Sequence, residues 1–161
     1  MRPSTRRIAA FTLIELLTVI VIIAILAGLI VAASKYAATK AATSRARAEI
    51  AAMETALESF KTDNGYYPNT GTIRNNWTIN SSVLYTTLAG GPKPYFHFKA
   101  EQLHVWSGNV TNIMDPFGHA YNYYQTNDSA SVTNVVTFDL WSYGPDGVDS
   151  TPDDITNWRQ Q

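Results

Sequence analysis

Four aspartates crowd into nine residues near the C-terminus of the chain: Asp146, Asp149, Asp153 and Asp154. Carboxylates packed so tightly repel one another unless solvent or a cation screens them. Hard oxygen ligands in a flexible loop suit Ca²⁺, which takes about six to eight of them. The loop does not follow the EF-hand pattern, because no Glu closes it. Acidic loops rich in Gly and Pro also occur as solvated turns, so the spacing alone leaves both interpretations open.

A further acid with chemical consequences is Glu15, the only ionisable side chain in the apolar segment 11–33. A lone carboxylate in a segment long enough to span a bilayer costs roughly 2.5–3.5 kcal/mol, so it needs a partner or a purpose. The stretch before it, residues 1–10, carries three Arg and no acid. A cut between Ala10 and Phe11 would create an α-amine on Phe11, a cation four residues from Glu15 that can neutralise this carboxylate in a neighbouring copy.

The segment 11–33 is long enough to cross a bilayer, which takes about 20 apolar residues. The basic stretch before it fits the positive-inside rule. In a secretory signal peptide the small residues of the cleavage site follow the apolar core, whereas here Ala9 and Ala10 precede it, so a cut there keeps the helix. A plain membrane anchor gives no role to Glu15. A buried soluble helix is disfavoured, because no other segment is apolar enough to surround it.

The composition excludes several classes of protein. About 130 of the 161 residues follow the apolar segment, enough for one domain and its supporting helix. Without residues 1–10, nine Lys and Arg face thirteen acids, and the resulting charge of −4 argues against nucleic-acid binding. The absence of Cys removes disulfides and thiolate chemistry. His97, His104 and His119 lack partners at zinc-ligand spacing, so neither a zinc site nor an enzyme is predicted.

The spacing of apolar residues predicts one long helix from about Phe11 to Lys61, membrane-spanning over 11–33 and amphipathic over 34–63. Its second part carries a stripe at spacings of three and four, formed by Ile50, Met53, Leu57 and Phe60. Such a stripe packs against a sheet. The sequence DNG at 63–65 signals the end of the helix.

The rest of the chain, 64–161, is predicted to be one globular region with short elements. SSVLYTTLAGG indicates a short helix ending at Gly90 and Gly91. PYFHFKA and QLHVWSG indicate short strands, and DPFG at 115–118 indicates a turn. AYNYY and VVTFDLWSY predict two antiparallel strands joined around TNDSAS. The predicted fold class is therefore α+β, a helical spine packed on a small antiparallel sheet.

The basic leader followed by FTLIE resembles the start of the type IV pilin and pseudopilin family. That resemblance implies a pilin-like fold and a prepilin peptidase that cuts after Ala10 and N-methylates Phe11. It also implies single-pass retention in the bacterial inner membrane, with the C-terminal domain in the periplasm, and assembly of copies into a helical filament through Phe11 and Glu15. Ala10 departs from the Gly that usually precedes the cut.

Four segments resemble the major pseudopilins of type II secretion systems: FKTDNGYYP, the DPFG turn, SYGPDG and DITNW. The major pseudopilins hold Ca²⁺ in this region. The resemblance implies that Asp146, Asp153 and Asp154 hold it in this chain, together with backbone carbonyls. The resemblance implies that the carbonyl of Tyr143 and one near Thr151 fill those positions. The role of Asp149 stays open: it binds the ion directly, binds it through water, or faces solvent. The implied partners are other copies, other pseudopilins and the inner-membrane assembly platform.

The sequence therefore predicts a structural subunit of a periplasmic pseudopilus that drives protein export. A type IV pilus subunit for adhesion or motility is the alternative, and the missing cysteines and the acidic loop count against it. A standalone membrane-anchored binding protein is a different class, in which exposed aromatics such as Trp77, Trp106 and Trp141 would hold a ligand.

Overall fold

The computed structural model describes residues 11–70, 77–106, 110–125 and 138–158. Ala10 and the TNDSAS connection lie outside these residues. The chain divides into two compact units, the first ending at Ala38 and the second beginning at Thr39.

A single helix, α1 (Leu13–Asn64), accounts for most of the first half of the chain. This confirms the predicted helix and extends it by three residues beyond Lys61. The helix ends where Gly65 takes the left-handed conformation (φ 82°) and donates its N–H to the carbonyl of Lys61 at 2.7 Å. Glycine favours this conformation because it has no Cβ, and a glycine just after the last turn is a common helix stop.

The apolar start of α1 is exposed at every described residue from Phe11 to Val31. Within the described residues, α1 alone is long and apolar enough to cross a membrane, by length and composition. Exposed aliphatic side chains in such a run are unfavourable in water, so this part of the helix needs lipid or other protein around it.

The second part of α1 supplies one side of the domain core. Ile50, Met53 and Leu57 are buried as the stripe predicts, whereas Phe60 is half-buried at its edge. Phe60 instead makes edge-to-face ring contacts with Tyr66 and Tyr95. The core is completed by residues from the second helix and from the strands, among them Leu84, Leu88, Ile113, Tyr121, Tyr123, Phe138 and Leu140.

The second helix, α2 (Trp77–Ala89), confirms the predicted short helix and begins four residues earlier. The predicted strand in PYFHFKA is wrong, because the described structure has no strand between Pro94 and Ala100. The N–H groups of Tyr95 and Phe96 donate instead to the carbonyl of Leu88, at 2.8 and 3.0 Å. Those bonds satisfy the end of α2, so they are not available to a sheet.

The strands form two small antiparallel sheets. β1 (Leu103–Trp106), predicted from QLHVWSG, pairs with β2 (Val110–Ile113). The second sheet has the order β3-β4-β5, and consists of Asn122–Tyr124, Asp139–Ser142 and Ile155–Thr156. Tyr123 lies opposite Leu140, which confirms the predicted pairing of the two aromatic strands. The acidic segment connects β4 to β5, so both of its ends are held by one sheet.

Candidate functional site

The start of α1 is closed by a reciprocal pair of hydrogen bonds between Thr12 and Glu15. The Thr12 N–H and hydroxyl donate to Glu15 Oε2 at 2.8 and 2.7 Å, and the Glu15 N–H donates to Thr12 Oγ1 at 3.3 Å. This is a capping box, which satisfies N–H groups that lack partners inside the helix. Glu15 therefore has a structural role within one chain, a role that the Thr-x-x-Glu spacing could have revealed.

The predicted turn is present and is organised by the carboxylate of Asp115. Asp115 Oδ1 accepts the N–H groups of Phe117 and His119, at 2.9 and 2.8 Å. The Asp115 carbonyl accepts the N–H of Gly118, whose φ is +90°. An Asp that caps its own turn and a glycine in the left-handed region explain why these residue types occur at these positions.

The acidic loop, defined as residues 143–154, brings the carboxylates of Asp153 and Asp154 to one threonine. The Thr151 hydroxyl lies 2.7 Å from Asp153 Oδ1 and 3.4 Å from Asp154 Oδ1. Two backbone N–H groups complete the set: Asp146 donates to Asp153 Oδ2 at 3.2 Å, and Ser150 donates to Asp154 Oδ2 at 2.8 Å. Carboxylate oxygens of Asp153 and Asp154 therefore lie close together beside the Thr151 hydroxyl.

Asp149 is bound by a residue outside this loop. Its Oδ1 accepts a hydrogen bond from the indole N–H of Trp141 at 3.1 Å. Trp141 is only 1% exposed, so it belongs to the core and cannot serve as an exposed aromatic for a ligand. The other aromatics of that hypothesis differ: Trp106 is 47% exposed, and the side chain of Trp77 lies outside what the structure describes.

The acidic loop concentrates negative charge, with four aspartates in nine residues. Among the described residues, no Lys or Arg forms an ion pair with its aspartates. Burial raises the pKa of Asp154, and the negative charge of Asp149 raises it further. The hydrogen bond from Thr151 lowers the pKa of Asp153, which is more exposed. A cation close to these aspartates would stabilise their negative charge.

The predicted ligands suit a hard cation, although the carboxylates of Asp153 and Asp154 accept hydrogen bonds from within the loop. All of the predicted ligands are oxygens, as Ca²⁺ requires. In the described part of the chain, no three His, Cys, Asp or Glu side chains stand where together they could hold a metal. Asp153 and Asp154 would therefore have to exchange hydrogen bonds to Thr151, Asp146 and Ser150 for bonds to the ion. Along the chain, Thr151 lies two residues before Asp153, and Tyr143 lies three residues before Asp146.

The histidines have other surroundings. His104 stacks edge-to-face on Trp106, with ring centroids 5.3 Å apart. His119 Nδ1 lies 3.9 Å from Asp115 Oδ2. Neither contact belongs to a cluster of potential metal ligands among the described residues.

Comparison with known proteins decides the family. The model of the prokaryotic N-terminal methylation motif matches residues 5–31, and that of type II secretion system protein G matches residues 97–158. The type II secretion system core protein G of Escherichia coli strain K12 is 35% identical over 156 residues, covering 96% of this chain and 94% of that protein. The chain belongs to the type II secretion system protein G family. The core protein G of Dickeya chrysanthemi is 32% identical, with 96% of this chain and 88% of that protein covered.

Protein G family members are pseudopilins, so the chain is a structural subunit in type II secretion and not an enzyme. The family and the apolar start of α1 together identify a membrane-anchored protein. The crystal structure of the major pseudopilin of enterohaemorrhagic Escherichia coli is also similar, with a TM-score of 0.42 and 24% identity over 74% of this chain and 88% of that chain.

Proposed function

We propose that this chain is the repeating subunit of a periplasmic pseudopilus, which grows by adding copies through the N-terminal part of α1. A prepilin peptidase cuts after Ala10 and methylates Phe11, and the subunit waits in the inner membrane as a single-pass protein. Growth of the filament on the inner-membrane assembly platform, together with other pseudopilins, moves substrates towards the outer membrane. The observation that carries the proposal is a carboxylate, Glu15, in the apolar start of α1, where every described residue from Phe11 to Val31 is exposed.

The exposed apolar residues explain why the chain needs both a membrane and other copies. Phe11 is 79% exposed, and the aliphatic side chains that follow it are also exposed. Lipid covers this surface before assembly, and helices of neighbouring copies cover it afterwards. In that apolar surrounding the charge of Glu15 requires a cation, which the α-amine of a neighbour's Phe11 provides.

The structure offers a sharp test, because Glu15 has two separable roles. Glu15→Gln retains a side chain that can complete the capping box but removes the charge. Glu15→Ala removes both. We expect both variants to stay in the membrane and to lose filament assembly, measured by electron microscopy and by recovery of sheared filaments. Normal filaments from Glu15→Gln would show that the capping role is sufficient and would contradict the charge-pairing proposal.

We further propose that the acidic loop binds Ca²⁺ through Asp146, Asp153 and Asp154, with the carbonyls of Tyr143 and Thr151. Asp149 is the remaining candidate ligand, directly or through water. The support is the all-oxygen donor set, the convergence of two carboxylates at one hydroxyl, and the raised pKa of Asp154 without a basic partner among the described residues. The ion would replace internal hydrogen bonds and fix the loop between β4 and β5.

Thermal unfolding of the full chain in detergent, with calcium or with chelator, tests this site. A ligand at 100 times its Kd stabilises the native state by about 2.7 kcal/mol. We expect a calcium-dependent rise in the unfolding temperature of the wild type and none for Asp153→Ala combined with Asp154→Ala. Asp63→Ala is the control, because Asp63 is exposed and lies on α1. An unchanged wild-type temperature would contradict the calcium proposal.

A further inference from the structure

A single buried carboxylate connects the DPFG turn to the strand that leads into the acidic loop. The Asp115 side chain is fully buried. Its Oδ1 holds the turn through the N–H groups of Phe117 and His119. Its Oδ2 accepts the hydroxyl of Ser142, the last residue of β4, at 2.5 Å. Because one buried side chain bonds to both segments, the turn and β4 are joined through Asp115.

Ser142 extends this connection into the loop. Its Oγ accepts the N–H of Gly144 at 3.0 Å. Gly144 has a φ of +67°, and a Cβ on it would lie 2.4 Å from the carbonyl oxygen of Asp153 and 3.1 Å from Asp153 Oδ2. The backbone of Gly144 therefore lies in close contact with Asp153. A continuous series of contacts runs from Asp115 through Ser142 and Gly144 to a proposed calcium ligand.

A second contact joins the same turn to the loop further along. A Cβ on Gly147 would lie 2.7 Å from Nε2 of His119, so the histidine ring packs directly over this glycine. The N–H of His119 is one of the two bound by Asp115. The turn therefore supports the loop at Gly144 and at Gly147, on either side of Asp146.

We infer that Asp115 and Ser142 are positioning residues for the calcium loop, holding Gly144 so that Asp153 is presented to the ion. This inference rests on the proposed calcium site. A loop that is already ordered loses less conformational entropy when it binds, so its affinity is higher. Because coupling between two sites is reciprocal, calcium must in turn tighten the DPFG turn.

Calcium titration calorimetry of the full chain in detergent tests the inference with Ser142→Ala and Asp115→Asn. Ser81→Ala is the matched control, because its hydroxyl is equally buried and accepts the N–H of Ile113 at 2.9 Å, joining α2 to β2. Residues that orient metal ligands typically change affinity by roughly 10- to 100-fold. We expect a Kd at least tenfold weaker for the first two variants and an unchanged Kd for Ser81→Ala.

Wild-type affinity in Ser142→Ala would overturn the inference and leave the calcium proposal intact. Absence of binding by the wild type would overturn both. Amide hydrogen exchange of the wild type, followed by NMR, needs no variant to fold. We expect calcium to slow exchange at Phe117 and His119 as well as in the acidic loop, and slowing confined to the loop would refute the coupling.

Discussion

Gly118 and Gly144 have the same left-handed backbone but different surroundings. A Cβ on Gly118 would meet nothing within 4 Å, whereas one on Gly144 would lie 2.4 Å from a carbonyl oxygen. Gly118→Ala therefore bears only the backbone cost of a left-handed residue, about 1–2 kcal/mol. Gly144→Ala bears that cost and must also displace Asp153. We expect a clearly larger loss of unfolding free energy for Gly144→Ala, measured by denaturant unfolding in chelator.

The two variants are each other's control, since both place the same methyl group on the same type of backbone. Equal losses would show that the loop at Asp153 moves aside freely. In that case the contact between Gly144 and Asp153 could not transmit the position of Ser142.

At the residue level, local chemistry could be predicted and distant pairing could not. The turn at Asp115 is visible in the sequence because Asp, Pro and Gly set the geometry of adjacent residues. The hydrogen bond from Ser142 to Asp115 joins residues 27 positions apart, and no periodicity encodes it. The same holds for Asp149, whose indole partner Trp141 depends on how β4 packs.

Among the secondary-structure elements, α1 carries a titratable group at its contact with the sheet. Burial raises the pKa of Glu54, and Glu58 one turn later raises it further, while a hydrogen bond with the Asn157 side chain lowers it. The native state therefore holds this proton more tightly than the unfolded chain does. Its contribution to stability is complete below the unfolded pKa and is lost as the pH rises through the raised native pKa.

It follows that Glu54→Gln should stabilise the protein at neutral pH. The uncharged side chain no longer bears the cost of a half-buried charge, so we expect a higher unfolding temperature than that of the wild type at pH 7. The difference should shrink as the pH falls through the raised native pKa of Glu54, and it should vanish below about 4, where the wild-type carboxyl is protonated in both the native and the unfolded state. Glu101→Gln is the control, because Glu101 is exposed. A difference in unfolding temperature that stays the same at all pH values would show that it does not come from the charge of Glu54.

The element whose pattern is longest could be predicted in most detail. α1 extends over 52 residues, and its apolar spacing fixes both its type and its buried face. β5 has two residues and no periodicity of its own, so it escaped prediction. The segment at Tyr95 and Phe96 is aromatic enough for a strand, but its N–H groups bond to the end of α2. Tertiary hydrogen bonding overrides local preference there.

On the scale of the whole molecule, the chain assigns its two proposed tasks to different compact units. Glu15 belongs to the unit that ends at Ala38, and the acidic loop belongs to the unit that begins at Thr39. The family comparison extends over both, since the methylation motif and the protein G motif match separate segments. Substitutions that share no partners have additive effects, within about 0.5 kcal/mol.

This separation predicts that the two sites fail independently. Glu15→Gln should keep the full calcium-dependent rise in unfolding temperature, because Glu15 and the acidic loop belong to different compact units. The pair Asp153→Ala and Asp154→Ala should keep membrane retention, because the apolar part of α1 is intact. The combined variant should lose both the calcium response and filament assembly but stay in the membrane, as measured by calcium-dependent unfolding, by recovery of sheared filaments and by membrane fractionation. If Glu15→Gln alone reduced the calcium response, the two units would be coupled through α1, and the helix would transmit the state of the loop to the assembly site.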